Sequence, residues 1–197
     1  MENKRVGVLG GSFDPPTVAH RNQNPLKHQV FASAEHRWEM VKMLIAGEPV
    51  LTATDFEISH ELVYTTNDRY VKDTSEDERP SYTWNTMRAF KMMEPHTEFI
   101  ILGGSDILRR FYKWHKAKEL IEEFKFAIAV RPPHSVASTI APIEEEHRKQ
   151  VTILESLQMP DMSSTDVRTY LSSGQHDRAK SLLQPDVYEY ALKHKLY

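Results

Sequence analysis

Residues 7–20 read GVLGGSFDPPTVAH, and residues 162–168 read MSSTDVR. The run from Arg5 to Leu9 is short, apolar and bounded by glycine, as a buried strand over 5–10 requires. Gly10 and Gly11 then permit positive φ and leave no Cβ between the backbone and a ligand. Successive main-chain N–H groups in such a turn make a concavity that suits an anion. Ser12 and Phe13 continue the turn, and Thr17 and His20 close the segment with a hydroxyl and an imidazole, both able to donate to a phosphate oxygen. In the second segment Ser163 or Ser164 is a natural helix N-cap, with Thr165 behind it. The exposed N–H groups and the helix dipole favour an anion there. Arg168, one turn on, adds a fixed cation whose forked donors match phosphate.

Each feature has an ordinary explanation. A Gly-Gly after a strand makes a turn, a Ser-Ser-Thr helix start makes a cap, and a lone Arg is solvated. Their joint occurrence, as strand–Gly–His and strand–Ser–Ser–Thr–Arg, points instead to a polyphosphate.

Reading outward, Ser33 caps a helix over 34–46, stopped by Gly47 and Pro49. VLTATDF (50–56) alternates as a strand does, and the charged stretch 65–80 reads as an exposed loop. A helix runs from Ser81 to Met93, and an apolar strand over 98–103 ends in Gly103-Gly104. A helix starts at Asp106 and another spans 116–123; a strand covers 125–131, and EEEHRKQ (144–150) reads as a solvated helix. The strand 151–156 precedes the Ser-Ser-Thr helix, which Gly174 ends, and Pro185 opens the last helix. Alternating strands and helices predict an α/β fold: a Rossmann-like open parallel sheet with helices on both faces, one domain over 1–197. Ligands in such sheets sit beyond the carboxyl ends of the strands. The glycine turn, Asp106, Arg131 and Ser164 all lie just past strand ends.

Composition narrows the classes. The chain has 197 residues, 40% of them apolar, enough for one core. A net charge of −3 argues against a protein that coats nucleic acid. Zero cysteines exclude disulfides, thiolate catalysis and Cys-held metal. The ten histidines form no HExxH or similar pair, so no protein-held transition metal is expected. MENKRVGVLGG has no signal-peptide pattern, and no apolar run reaches the ~18 residues of a membrane span. The expected location is cytoplasmic.

The motifs also resemble a known family. GGSFDPPTVAH is similar to the GGTFDPxHxGH signature of nucleotidyltransferases with a (His/Thr)-x-Gly-His element, and MSSTDVR to their ISSTxIR. RPSYTWNTM (79–87) resembles SYTxxTL, and FIILGGSDILRRFYKWHKAKELIE (99–122) resembles FIIGADxLxxLPxWxxxxELL. FAIAVRPP (126–133) resembles a strand ending in Arg-Pro, and YEYALKHKLY resembles the ending YIxxHxLY. These segments are those of the nicotinate-nucleotide adenylyltransferases, in the right order over nearly the whole chain.

The resemblance implies adenylyl transfer from ATP to nicotinate mononucleotide, with Mg²⁺ accompanying ATP. It implies that His20 and Thr17 hold the triphosphate, and that Arg168, Ser163 and Ser164 hold the β and γ phosphates. Gly10, Gly11, Ser12, Phe13 and Thr165 complete the ATP loop, and the Asp106 carboxylate takes ribose hydroxyls. Thr83, Trp84, Trp114, Arg131 and Lys27 fall to the mononucleotide, with Trp114 stacking on the pyridine ring. From the residues alone, Asp106 is equally a helix cap, Trp114 and Trp84 core, Lys27 and Arg131 solvated, and Asp14 before Pro15-Pro16 a turn-former. The implied partners are ATP and a pyridine mononucleotide, with no nucleic acid and no membrane; homo-oligomerisation is open.

Two departures from the family stand out. Ala19 replaces the glycine of the Thr-x-Gly-His element. Only Arg21, Asn22 and Gln23 separate His20 from NPLKH (24–28), where the family has a helix and a strand. A parallel crossover needs roughly 10–12 residues or more, and three cannot supply one: either the site is remodelled, or one helix and one strand are lacking. Two rivals follow: nicotinamide mononucleotide as acceptor, and a nucleotide-binding protein with impaired turnover.

Overall fold

The computed structural model describes residues 4–11, 13–17, 31–58, 63–66, 69–72, 82–130, 134–155 and 163–197, with the backbone alone at 63–66 and 69–72. The chain forms two compact units: residues 1–10 with 55–158, and residues 11–54 with 159–197.

The first unit is built on a four-stranded parallel sheet. Its strands are β1 (Arg5–Val8), β4 (Glu98–Gly104), β5 (Lys125–Ala129) and β6 (Val151–Leu154), side by side in that order. The register runs Val6↔Phe99, Ile101↔Phe126 and Phe126↔Val151. Because side chains alternate across a strand, Val6, Val8, Phe99, Ile101, Phe126, Ile128, Val151 and Ile153 share one face. That face packs with Trp84 and Met87 of α2 (Thr83–Met93), Ile107 and Leu108 of α3 (Ser105–Leu108), and Leu120 and Ile121 of α4 (Ala117–Glu123). Phe111 and Phe126 are fully buried and meet edge to face at 5.2 Å, a favoured aromatic geometry. A Cβ at Gly103 would collide with the Ile107 side chain, so glycine there lets α3 fold back onto the strand end. This parallel sheet with its helices is the open α/β architecture that the alternating pattern predicts.

Three expectations change in this unit. The loop expected over 65–80 contains part of an antiparallel hairpin, β2 (Val63–Thr66) with β3 (Arg69–Lys72), paired Val63↔Lys72 to Thr66↔Arg69. The β-branched and aromatic residues Val63, Tyr64, Thr65, Tyr70 and Val71 outweigh the polar ones. The stretch EEEHRKQ (144–150) is not a solvated α-helix, and a short helix stands ahead of it. That helix is α5 (Val136–Ile140), closed by a Ser135–Ser138 capping box, and the stretch itself forms a 3₁₀ turn over Glu145–Gln150 with His147 buried. The fifth strand ends at Ala129. Arg131 therefore falls beyond it and outside the described residues.

The second unit is helical. Helix α1 (Ala34–Leu44) packs with α6 (Ser164–Ser172), α7 (His176–Leu182) and α8 (Pro185–Lys193) around Met40, Val167, Leu171, Ala179, Leu183 and Val187. Ser33 caps α1 as expected, Gly174 follows α6 at φ +71°, and Pro185 opens α8. The expected strand at 50–56 is absent. Val50 is 87% exposed and Leu51 53% exposed, so alternation there has no surface to bury and no strand to pair with. Helix α7 has no counterpart among the sequence expectations. Among the described residues no helix is long and apolar enough to cross a membrane.

Candidate functional site

Asp14 is the centre of the second unit's polar residues. It is 2% exposed, and a buried carboxylate must be met by donors. Three reach it: Phe31 N donates to Oδ2 at 2.7 Å, and Ala32 N (3.0 Å) and the Tyr197 hydroxyl (2.8 Å) donate to Oδ1. Burial first, and then the charge of Asp14, push the Tyr197 phenol far above its ordinary value. It is therefore a donor throughout the neutral range. The Asp14–Pro15 peptide is cis, and Phe13 sits at φ +50°, a left-handed conformation rare for an aromatic residue. The sequence expectation gave positive φ to the glycines. Gly10 does not adopt it, although a Cβ there would meet open space; the left-handed residue is Phe13.

Helix α6 fixes the other half. Ser163 is the N-cap: its Oγ accepts from Asp166 N at 3.2 Å, and Asp166 Oδ2 accepts from Ser163 N at 2.8 Å and from Ser163 Oγ at 2.6 Å. Ser163 is thus committed to a capping box. Ser164 is buried and donates from Oγ to the Pro15 carbonyl at 2.8 Å. Arg168 donates from Nη1 to the Asp14 carbonyl at 2.6 Å and from Nη2 to Thr165 Oγ1 at 3.1 Å. Its guanidinium lies 4.4 Å from the centre of the Phe31 ring. The carbonyls of the 14–15 turn are therefore held by the first turns of α6, as the two motifs require if both serve one anion.

Thr17 lies in the same turn, 1% exposed, and its Oγ1 has no hydrogen-bond partner among the described residues. A buried hydroxyl left unpaired costs about 1–3 kcal/mol. Arg168 uses only two of its five N–H donors among the described residues. A buried hydroxyl and a guanidinium with donors to spare have the chemistry to bind an acceptor-rich anion.

The first unit positions a separate group. Thr83 opens α2 and is half-buried, whereas the Trp84 ring is in the core with its Nε1 buried and unpaired. Trp114 is half-buried, with its ring 5.7 Å from Phe111. Asp106 is exposed in the first turn of α3, where Gly104 is the N-cap. Asp106 is therefore not the cap, and its carboxylate remains at the strand end. Lys116 lies 5.4 Å from the Trp84 ring centre, and Tyr82 stacks on His115 at 4.4 Å. Glu144, Glu146 and His147 present ligand atoms within 4.8 Å of one another, and the His147 ring already bonds Tyr112 Oη at 3.1 Å.

Ser12, His20, Lys27 and Arg131 lie outside the described residues. Residues that the sequence reading left out of the site are Tyr197, Phe31, Tyr82, His115 and Lys116. Tyr82 had a signal, since it stands within SYT; Phe31 had none.

A parallel sheet with glycine-marked strand ends, together with a turn whose carbonyls are pinned by a Ser-Ser-Thr-x-x-Arg helix, marks a nucleotidyltransferase-type α/β protein. The Cytidylyltransferase-like family profile matches residues 21–170. A probable nicotinate-nucleotide adenylyltransferase of Herpetosiphon aurantiacus is 30% identical, with 98% of each chain covered. One of Methylibium petroleiphilum is 32% identical, covering 93% of this chain and 85% of its own. The Plasmodium falciparum nicotinic acid mononucleotide adenylyltransferase complexed with NaAD shares the fold, with a TM-score of 0.63, 20% identity, and coverage of 97% and 96%. The chain belongs to the cytidylyltransferase-like nucleotidyltransferases, in the branch of the nicotinate-nucleotide adenylyltransferases. The alignment with the Herpetosiphon protein spans 217 positions against 197 residues here, so at least a score of its positions have no counterpart in this chain.

Proposed function

We propose that the chain transfers the adenylyl group of ATP to nicotinate mononucleotide, giving the deamido dinucleotide and pyrophosphate. The observation that carries this reading is the 14–17 turn, with its unpaired Thr17 hydroxyl, tied to Ser164 and Arg168. In the reaction a phosphate oxygen of the mononucleotide forms a bond to the α-phosphorus. The α–β bridging bond breaks, and its electron pair leaves with pyrophosphate. The nucleophile is already charged at neutral pH, so no enzyme base is required. Catalysis is then in-line positioning with charge stabilisation.

Arg168, Thr17 and Ser164 would hold the leaving phosphates, with the glycine turn, Ser12, Phe13, Thr165 and His20. Ser163 would act by shaping the helix start. Asp106 would take ribose hydroxyls. Trp114 would stack on the pyridine, with Thr83, Trp84, Lys27 and Arg131 completing that end. Mg²⁺ belongs to the substrate, as MgATP. The one carboxylate in the 14–17 turn, Asp14, is taken by three donors, which suits a cation carried on phosphates and water. The two units would act as one nucleotidyltransferase domain, in the cytoplasm.

The length deficit against its relative supports the second reading, a nucleotide-binding chain with impaired turnover. Pyrophosphate release, measured with MgATP alone and with nicotinate or nicotinamide mononucleotide, decides among these. Release that depends on nicotinate mononucleotide supports the proposal. Preference for the amide corrects the acceptor, and ATP binding without release favours the second reading.

A further inference from the structure

We infer that Tyr197 is a positioning residue for Arg168, acting through Asp14. The inference rests on the proposal that Arg168 holds the phosphates of ATP. Three contacts hold Arg168: one is Thr165 Oγ1 on its own helix, and the other two lead to Asp14. Its Nη1 donates to the Asp14 carbonyl at 2.6 Å. Its guanidinium also lies on the Phe31 ring, and Phe31 N donates to the Asp14 carboxylate at 2.7 Å. The Phe31 ring is 53% exposed, so packing alone does not place it; the backbone hydrogen bond to Asp14 does.

The carboxylate in turn takes its third donor from Tyr197, 183 residues away in sequence. Removing that hydroxyl leaves Oδ1 with only Ala32 N. A buried carboxylate short of a donor re-aims or draws in water. Either response moves the Phe31 backbone and the Asp14 carbonyl together. Arg168 presents a rigid planar fork, so small misplacements weaken a forked phosphate contact. A staple that merely fixes the 194–197 segment would act on stability alone. Leu196 provides that comparison, because it packs against the second core and its side chain has no donor to offer Asp14.

The test is calorimetric titration with MgATP of the full chain and of Tyr197→Phe, Arg168→Ala, the double variant and Leu196→Ala, each with its melting temperature. Tyr197→Phe is expected to weaken MgATP about tenfold, within the range for one hydrogen bond to a charged group, with the KM for mononucleotide unchanged. In the Arg168→Ala background it should add nothing, because the group it positions is gone. Leu196→Ala should lower the melting temperature and keep MgATP affinity. Phe31→Leu, at a half-exposed site that tolerates the change, should weaken MgATP and likewise add nothing to Arg168→Ala. Wild-type affinity in Tyr197→Phe, with Arg168→Ala impaired, overturns the inference and leaves the phosphate reading standing. Additive losses in the double variant overturn it too. Wild-type affinity in Arg168→Ala overturns the phosphate reading and the inference together.

Discussion

The two units hold their candidate site residues by different means. In the sheet unit, Thr83, Asp106 and Trp114 stand at the ends of elements that apolar packing fixes, around Phe111 and Phe126. In the helical unit the site residues fix one another: Asp14 binds Phe31, Ala32, Tyr197 and Arg168, and Ser164 binds Pro15. Damage to the first should therefore appear mainly as lost stability. Damage to the second should appear mainly as lost function, because a polar network sets geometry more than it sets net stability.

The largest effect belongs to the sheet. Phe126→Ala removes a fully buried ring and should cost about 3–5 kcal/mol in denaturant unfolding. A cost under ~1 kcal/mol would mean that apolar packing does not fix this unit, and the contrast would collapse.

Next comes a pH test of the network. The Tyr197 phenol is raised in the folded state above the ordinary value of 10.0. Its contribution is complete below pH ~10, where the unfolded tyrosine keeps its proton. As pH rises further, the unfolded chain releases that proton and the folded chain retains it, so stability falls. The slope from this group is at most about 1.4 kcal/mol per pH unit. Tyr197→Phe should flatten the alkaline limb by that amount. An unchanged limb would show that the hydroxyl is not held as described.

The smallest effect is at Trp114. Trp114→Ala should weaken mononucleotide binding by ~0.5–1.5 kcal/mol beyond buried area and leave MgATP affinity intact. Equal loss of both ligands would make Trp114 a core residue like Phe111.

The same contrast separates what was legible in the sequence. The strands expected at 98–103 and 125–131 were legible as short apolar runs, one ending at Gly103-Gly104 and the other before Pro132, although the second stops at Ala129. A cap at Ser163 or Ser164 was legible from the Ser-Ser-Thr run, and the capping box with Asp166 places it at Ser163. VLTATDF misled, since alternation predicts a strand only where one face is buried, and Val50 is exposed. The hairpin at 63–72 was hidden by charged residues on a short ribbon. Asp14 was read as a turn-former, and its carboxylate is a hub of three donors. Its partners Phe31 and Tyr197 lie 17 and 183 residues away, and no local periodicity encodes such a pairing.

The central claim is that the spare polar groups of the 14–17 turn serve a substrate and not the fold. Thr17→Val tests it most directly, because the change keeps the shape and removes only the buried, unpaired hydroxyl. Melting temperature and pyrophosphate release should be measured on the same preparation. The account predicts a chain as stable as the original, or more stable by up to ~1 kcal/mol, with release slowed about tenfold or more. A chain that loses stability and keeps its release rate would contradict it.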